Sequence, residues 1–242
     1  MYGWKARIGS ISAVPTDIFP YEFYKIVPEG ITLMQTTLAI PKVKEKDLDE
    51  ARKAIEGIAR TLAREGADVI ILGAAPIVYF KGVGSDRALS DEIAKATGVP
   101  TISNQTAMMD ALNAHGCKRI LLVSPHDQET NEKLKRYLEP QGFEVVGMGG
   151  LNLIVNAEIN RITRQQAYHL VKDTFNKYRA KGIQGILLPC ANWPTSLLVR
   201  TWETELGVPV VTSIQAKIWA CLKTLGIKDE IRGFGSLLEK KL

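Results

Sequence analysis

The chain has 242 residues, 45% hydrophobic and 24% charged, enough to bury a sizeable core as one large domain or two small ones. Its 31 basic and 26 acidic residues leave a net charge of +5 with no long Lys/Arg run, so a nucleic-acid partner is not indicated, whereas small anionic ligands are compatible. The longest nearly apolar stretch, Val69 to Phe80, is 12 residues interrupted by Gly73 and Pro76, too short for a membrane span.

In chain order, β-branched apolar runs predict strands at Arg7 to Ser12, Ile31 to Thr37, Asp68 to Leu72, Pro100 to Ser103, Arg119 to Ser124, Phe143 to Gly147, Gly185 to Leu188 and Pro209 to Thr212. Between them, helical periodicity falls near Lys46 to Arg64, Asp86 to Thr97, Thr106 to His115, Thr130 to Leu138, Arg164 to Lys181, Leu197 to Leu206 and Gln215 to Leu225. This alternation predicts an α/β fold with parallel sheets.

The chain also repeats itself. PEGITLM at Pro28 matches PQGFEVV at Pro140, and the preceding IGSIS at Ile8 matches ILLVS at Ile120, both at an offset of 112. GADVIILGAA at Gly66 matches GIQGILLPCA at Gly182 (offset 116), and TGVPTIS at Thr97 matches LGVPVVT at Leu206 (offset 109). Chance likeness of α/β units could give one such match, but four in the same order favour duplication. The expected architecture is two pseudo-symmetric four-stranded parallel-sheet halves, residues 1–116 and 117–242, with the active site in the cleft between them. A C-terminal helical stretch, about 214–242, is available to pack back on the first half.

In parallel sheets, ligands sit beyond the carboxyl ends of the strands, so the loops there line the site. One of them carries Cys190, at the end of the seventh predicted strand. A thiol with an ordinary pKa near 8.5 can act as acid or base, and a following helix N-terminus, with Asn192 as N-cap and Pro194 in the first turn, is expected to stabilise the thiolate. Backbone N–H groups of the same loop, at Ala191 and Asn192, could hold a substrate carboxylate. Cys117, before a strand, and Cys221, inside a helix, are expected to be structural. Ser12, Thr16, Asn104, Thr212 and Ser213 lie at other strand ends as substrate-binding candidates, with helix capping the competing role, favoured for Asn104 and Ser213.

GMGGLN at Gly147 lacks the third glycine of a dinucleotide fingerprint, and His115, His126 and His169 show no metal-ligand spacing, so no cofactor or metal is expected. MYGWKARIGS lacks the apolar core of a signal peptide and three cysteines form no pairing pattern, so the expected location is cytoplasmic; the oligomeric state is left open.

GWKARIGSI, GADVIILGAAP, TNEKLKRYL and, above all, LLPCANWPT followed by LGVPVVTSIQAKIWACL make the chain resemble the aspartate/glutamate racemase superfamily over nearly its whole length, with its maleate isomerase and arylmalonate decarboxylase branches most similar. The resemblance implies that racemases and maleate isomerases place two cysteines on opposite faces of the substrate, whereas arylmalonate decarboxylases keep only the second, which protonates an enediolate after carbon dioxide leaves. This chain resembles the latter, with Ala74 at the first position and Cys190 at the second. It departs from the decarboxylase pattern where hydroxylic residues and a tyrosine are expected, carrying Ala75, Pro76 and His126 instead, which points to a different substrate. Asn156 and Ile159 fall where that branch lines its pocket, and Ala74, Pro76, Ile77 and Ile159 are expected to surround the leaving carboxylate.

The expected function is therefore cofactor-independent chemistry next to a carboxylate on a small carboxylic acid. Decarboxylation of a substituted malonate-type acid comes first, isomerisation or racemisation of a small (di)carboxylic acid is the alternative, and an idle carboxylate-binding protein is the third.

Overall fold

A computed structural model describes residues 2–38, 48–73 and 82–241. Eight strands occur where the apolar runs place them: β1 (Ala6–Ser12), β2 (Ile31–Thr37), β3 (Val69–Gly73), β4 (Thr101–Ser103), β5 (Arg119–His126), β6 (Glu144–Leu153), β7 (Gly185–Leu188) and β8 (Val210–Thr212). They form two four-stranded sheets, ordered β2-β1-β3-β4 and β6-β5-β7-β8, with every pairing parallel. Adding four to each strand of the first order yields the second, the topology expected of a duplicated α/β unit. The central strands are buried on both faces, with Val69, Ile70, Ile120, Leu121, Ile186 and Leu187 wholly enclosed, which is why they are continuously apolar rather than alternating.

The helices are α1 (Ile18–Ile26), α2 (Leu48–Arg64), α3 (Ser85–Thr97), α4 (Asn104–Ala114), α5 (Gln128–Leu138), α6 (Asn156–Ile159), α7 (Arg164–Tyr178), α8 (Val199–Leu206), α9 (Ser213–Thr224) and α10 (Ser236–Lys240). Two of these, α1 and α6, were not anticipated. IFPYEFYKI carries a proline in its first turn, where the missing N–H costs nothing, and has no side-chain cap to announce it. The C-terminal stretch is two helices, α9 and α10, rather than one. None of the helices among the described residues is long and apolar enough to cross a membrane.

The sixth strand runs to Leu153, six residues beyond the expected end at Gly147. Its glycines are required by close packing: a Cβ at Gly147 would collide with the Tyr178 ring, and one at Gly149 with Thr174, both on α7. GMGGLN thus lets a helix lie close on a strand, a role unrelated to nucleotide binding.

The two halves share one core. Helices α4 and α9, equivalent at the 109-residue offset, pack on each other, and α9 also contacts β3, α1 and α10. The surrounding apolar cluster draws on both sheets, joining Val69, Ile71 and Leu112 to Ile120, Leu187, Ile214 and Ile218. Separate clusters cover the outer faces of the two sheets. With a core continuous between the halves, they should unfold together. Ile214→Ala, at a wholly buried position, is expected to cost about 2–5 kcal/mol, and tryptophan fluorescence and far-ultraviolet circular dichroism should report one coincident transition with the midpoint lowered.

Candidate active site

The carboxyl end of β7 leads through Pro189 into Cys190, whose backbone adopts φ 86°, one of two positive-φ non-glycine residues among those described. Residues 191 and 192 form a turn, and Trp193 then plunges into the core, wholly buried, with Nε1 donating to the Pro189 carbonyl at 3.2 Å. This bond closes the loop around Cys190 and holds it in a left-handed conformation that costs on the order of 1–3 kcal/mol for a residue with a Cβ. Such strain is retained where the surroundings over-determine it, here by a buried indole.

The same geometry corrects the expectation that Asn192 caps a helix. Burying Trp193 takes residues 191–194 off any helical path, and regular structure resumes only with a 3-10 turn at Ser196–Leu198 that feeds α8. The helix start is not free to receive a substrate carboxylate either. Glu22 of α1 reaches across from the first half, and its Oε2 accepts the Ser196 N–H at 3.0 Å. What Asn192 does supply is its backbone N–H, directed at the Cys190 sulfur.

Burial dominates the protonation of Cys190. It pushes the thiol up to about 11, against the opposing pull of the Asn192 N–H and the positive charge of Lys217. The sequence argument expected a stabilised thiolate near neutrality; desolvation outweighs one N–H, and the group is a thiol. It is therefore set up as an acid. Cys117 and Cys221 are buried, and Cys117 Sγ donates to the Gln184 carbonyl at 3.2 Å.

The remaining candidates fall into three groups. Ser12 is bound into its own sheet, donating to the Thr36 carbonyl at 3.1 Å. Thr212 caps α9 by accepting the Gln215 N–H at 3.1 Å and shares a 3.0 Å hydrogen bond with Ser196 Oγ, while Ser213 donates to Asn104 Oδ1 across the halves at 2.9 Å. The caps are thus Ser103 and Thr212, and Asn104 and Ser213 are partners of each other instead. In the second group, loop residue Thr16 donates to Asn160 Oδ1 at 3.3 Å, which brings the end of β1 against α6 in the other half. Asn156 is exposed at the first position of α6, whereas Ile159 is buried in the second-half core, where a charge would damage the fold before it altered any chemistry. In the third group, Ala191, next to the thiol in the chain, packs on the shared core, and His126 ends β5, the strand beside β7, where burial lowers its pKa. Ala74, Ala75, Pro76 and Ile77 lie outside the described residues.

Two residues escaped the sequence argument. Glu22 is 1% exposed, its Oε1 has no partner among the described residues, and desolvation raises it to about 7 despite the Ser196 donors. Lys217 is 4% exposed on α9, with Nζ 3.9 Å from the centre of the Phe19 ring, and desolvation lowers it to about 8. Each had a signal, a lone charge in an otherwise apolar helix face: IFPYEFYKI and SIQAKIWACL. A groove of about 600 Å³ between α3, α4 and α9, lined by Arg87, Asp110 and Lys223, contains none of these groups. The groups whose protonation is shifted, Cys190, Glu22 and Lys217, lie instead on the loop after β7, on α1 and on α9.

Because Glu22 titrates higher in the folded chain than its ordinary 4.5, the folded state holds its proton more tightly. Stability from this group is complete below about pH 4.5 and is lost as pH rises through about 7, by up to about 3 kcal/mol. Glu22→Gln should flatten this part of the stability profile, measured by denaturant unfolding at several pH values. Cys190→Gly should be more stable than Cys190→Ala by roughly 1 kcal/mol, because only glycine adopts the loop conformation without strain; equal melting temperatures would contradict a strained loop.

Known proteins share this fold. The family model described as arylmalonate decarboxylase matches residues 8–238. The arylmalonate decarboxylase of Bordetella bronchiseptica is 26% identical over 234 residues, covering 96% of each chain, and the maleate isomerase of Nocardia farcinica is 26% identical over 185 residues, 74% of this chain and 72% of that one. A crystal structure of arylmalonate decarboxylase superposes with a TM-score of 0.82 at 25% identity, over 96% of this chain and 98% of that one. A duplicated parallel α/β fold, one thiol at the end of β7 and a match along nearly the entire chain lead to one assignment: this chain belongs to the arylmalonate decarboxylase family.

Proposed function

We propose that this protein is a cofactor-independent enzyme that decarboxylates a substituted malonate-type acid and protonates the resulting enediolate from Cys190. The observation that carries this reading is a half-buried thiol, pushed up by desolvation, in a strained loop that follows β7 and leads to the contact between the two halves. The carbon–carbon bond to one carboxylate breaks, its electron pair remains on the substrate as an enediolate, and the Cys190 S–H proton forms the new carbon–hydrogen bond. The thiolate left behind regains its proton from water before the next turnover. A carboxylate held away from water is pushed toward neutral carbon dioxide, and Ala74, Ala75 and Pro76, the counterpart of the Cys190 loop in the first half, are the residues we assign to that surface. His126, Ala191 and Asn192 are assigned to the retained carboxylate, through a ring nitrogen and backbone N–H groups.

Similarity to maleate isomerase supports the second reading, cis–trans isomerisation of a small dicarboxylic acid. Ala74 stands against it, because the expected second cysteine is missing. We take residues 1–116 and 117–242 as the duplicated units and place the protein in the cytoplasm, where three unpaired thiols are stable.

Incubation with small mono- and dicarboxylic acids in deuterated water tests the proposal. Deuterium should appear at the carbon next to the retained carboxylate, and Cys190→Ala should abolish it while leaving the fold and carboxylate binding intact. Substantial labelling by Cys190→Ala would remove Cys190 as the proton donor. Binding without labelling by the parent protein would favour an idle carboxylate binder.

A further inference from the structure

Three contacts tie α1 and the segment before it to the second half. Thr16 Oγ1 donates to Asn160 Oδ1 at 3.3 Å, the Phe19 ring centre lies 3.9 Å from Lys217 Nζ, and Glu22 Oε2 accepts the Ser196 N–H at 3.0 Å. Phe19 and Glu22 share the buried face of α1. The third contact reaches the Cys190 loop, because Ser196 is where that loop ends and the 3-10 turn before α8 begins.

Packing does not require a carboxylate at this position. The repeats hold an offset of 112 on both sides of α1, from Ile8 and Ile120 to Pro28 and Pro140, and at that offset Glu22 corresponds to Leu134 of α5. Leu134 is buried in the apolar core that the halves share. The repeat thus accepts leucine here, whereas Glu22 gives up its hydration and leaves Oε1 without a partner among the described residues. A buried carboxylate is costly unless it makes strong hydrogen bonds, and the bond that Glu22 makes is to a backbone N–H of the other half.

The loop is held at both ends. At its start, Trp193 Nε1 donates to the Pro189 carbonyl, and between these two residues Cys190 adopts φ 86°. At its finish, Ser196 is fixed twice, by its N–H on Glu22 and by its Oγ, 3.0 Å from Thr212 Oγ1. A left-handed residue with a Cβ keeps that backbone only while its surroundings impose it. Released at one end, the loop relaxes and the sulfur is displaced.

We infer that Glu22 is a positioning residue for Cys190: its carboxylate, carried by the first half, fixes the far end of the cysteine loop at the Ser196 N–H, so that contact between the halves sets where the sulfur points. Glu22 acts through the loop and not by touching the reacting atoms. The inference rests on the proposed proton-donor role of Cys190 for its catalytic meaning, while the latch between the halves is independent of it. A purely structural Glu22 would be exchangeable for the leucine of the other repeat, since an apolar side chain of similar volume is often easier to bury than a charge.

The test uses the full chain with Glu22→Leu and with Glu22→Gln, whose side-chain carbonyl can accept the same N–H. Desolvation raises Glu22 to about 7, so measurements are made above that pH, where the parent carries the carboxylate. In Glu22→Leu, amide hydrogen exchange at Ser196 should quicken by about tenfold as its N–H loses the acceptor. Alkylation of Cys190 by iodoacetamide should quicken as the loop admits water, followed by mass spectrometry with buried Cys117 reporting any global opening. For an acid that the parent turns over, kcat/KM should fall by about tenfold or more, because small misplacements of a reacting group cost rate steeply. The thermal midpoint should stay near the parent's, and Glu22→Gln should restore slow exchange and most of the turnover.

Exchange at Ser196 and alkylation of Cys190 that match the parent in folded Glu22→Leu overturn the inference, and so does a loosened loop with undiminished kcat/KM. If Glu22→Leu fails to fold, Glu22→Asp decides, since it keeps the charge and withdraws the carboxylate by one methylene: parent-like exchange and turnover in that variant overturn the inference. Should exchange and alkylation respond as expected while the parent turns over no acid, the latch stands and the decarboxylation proposal fails alone.

Discussion

The hydrogen bond from Ser213 to Asn104, 2.9 Å long and wholly inside the protein, joins two residues that occupy the same position in the two repeats. It marks the place where α4 and α9 start side by side and the pseudo-two-fold relation between the halves passes through the molecule. Everything the site requires depends on this contact. Two parallel sheets bring their carboxyl ends together only if the helices that follow β4 and β8 can pack face to face. For that they must be apolar on nearly every side: ten of the twelve residues of α9 are buried. The polar cost at the helix starts is met locally, since Ser103 and Thr212 each accept the N–H of the third residue of the following helix.

Within that frame, Cys190 occupies a position that the first repeat fills with alanine. Its loop is built against local preference, with a left-handed backbone at a residue that bears a Cβ and an indole driven into the core to hold it. Strain and burial work in the same direction. Together they present the sulfur at the strand end with its proton on, and they remove the helix N-terminus that would otherwise have favoured the thiolate. That N-terminus is occupied by Glu22, whose Oε2 accepts the Ser196 N–H.

The junction consequently holds more ionisable groups than its size suggests. Glu22 is shifted up, Lys217 down and Cys190 up, each chiefly by loss of water. Three groups displaced in this way within one contact region are more than packing alone demands, since an apolar residue at any of the three would be cheaper to bury. The isolated charges in α1 and α9 are the local exceptions to otherwise consistent apolar patterning, and such exceptions tend to gather where a protein acts rather than where it merely folds.

Periodicity alone placed all eight strands, because a strand buried on both faces must be apolar along its length, and the repeated segments announced the duplicated topology before any contact was known. The place of Cys190 was legible for the same reason: it follows directly on a strand that is apolar along its length, at the carboxyl end of the sheet. Tertiary structure decided the rest. Whether the thiol is charged depends on how much water reaches it, and local sequence does not carry that information; PCANWP reads as a helix start, yet burial of Trp193 turns it into a strained loop. Glu22 is separated from Ser196 by 174 residues and Lys217 from Phe19 by 198, and only the packing of α1 on the second half brings these groups together. Local pattern reports what each segment buries, whereas the charges that face one another across a buried junction are set by which segments meet there.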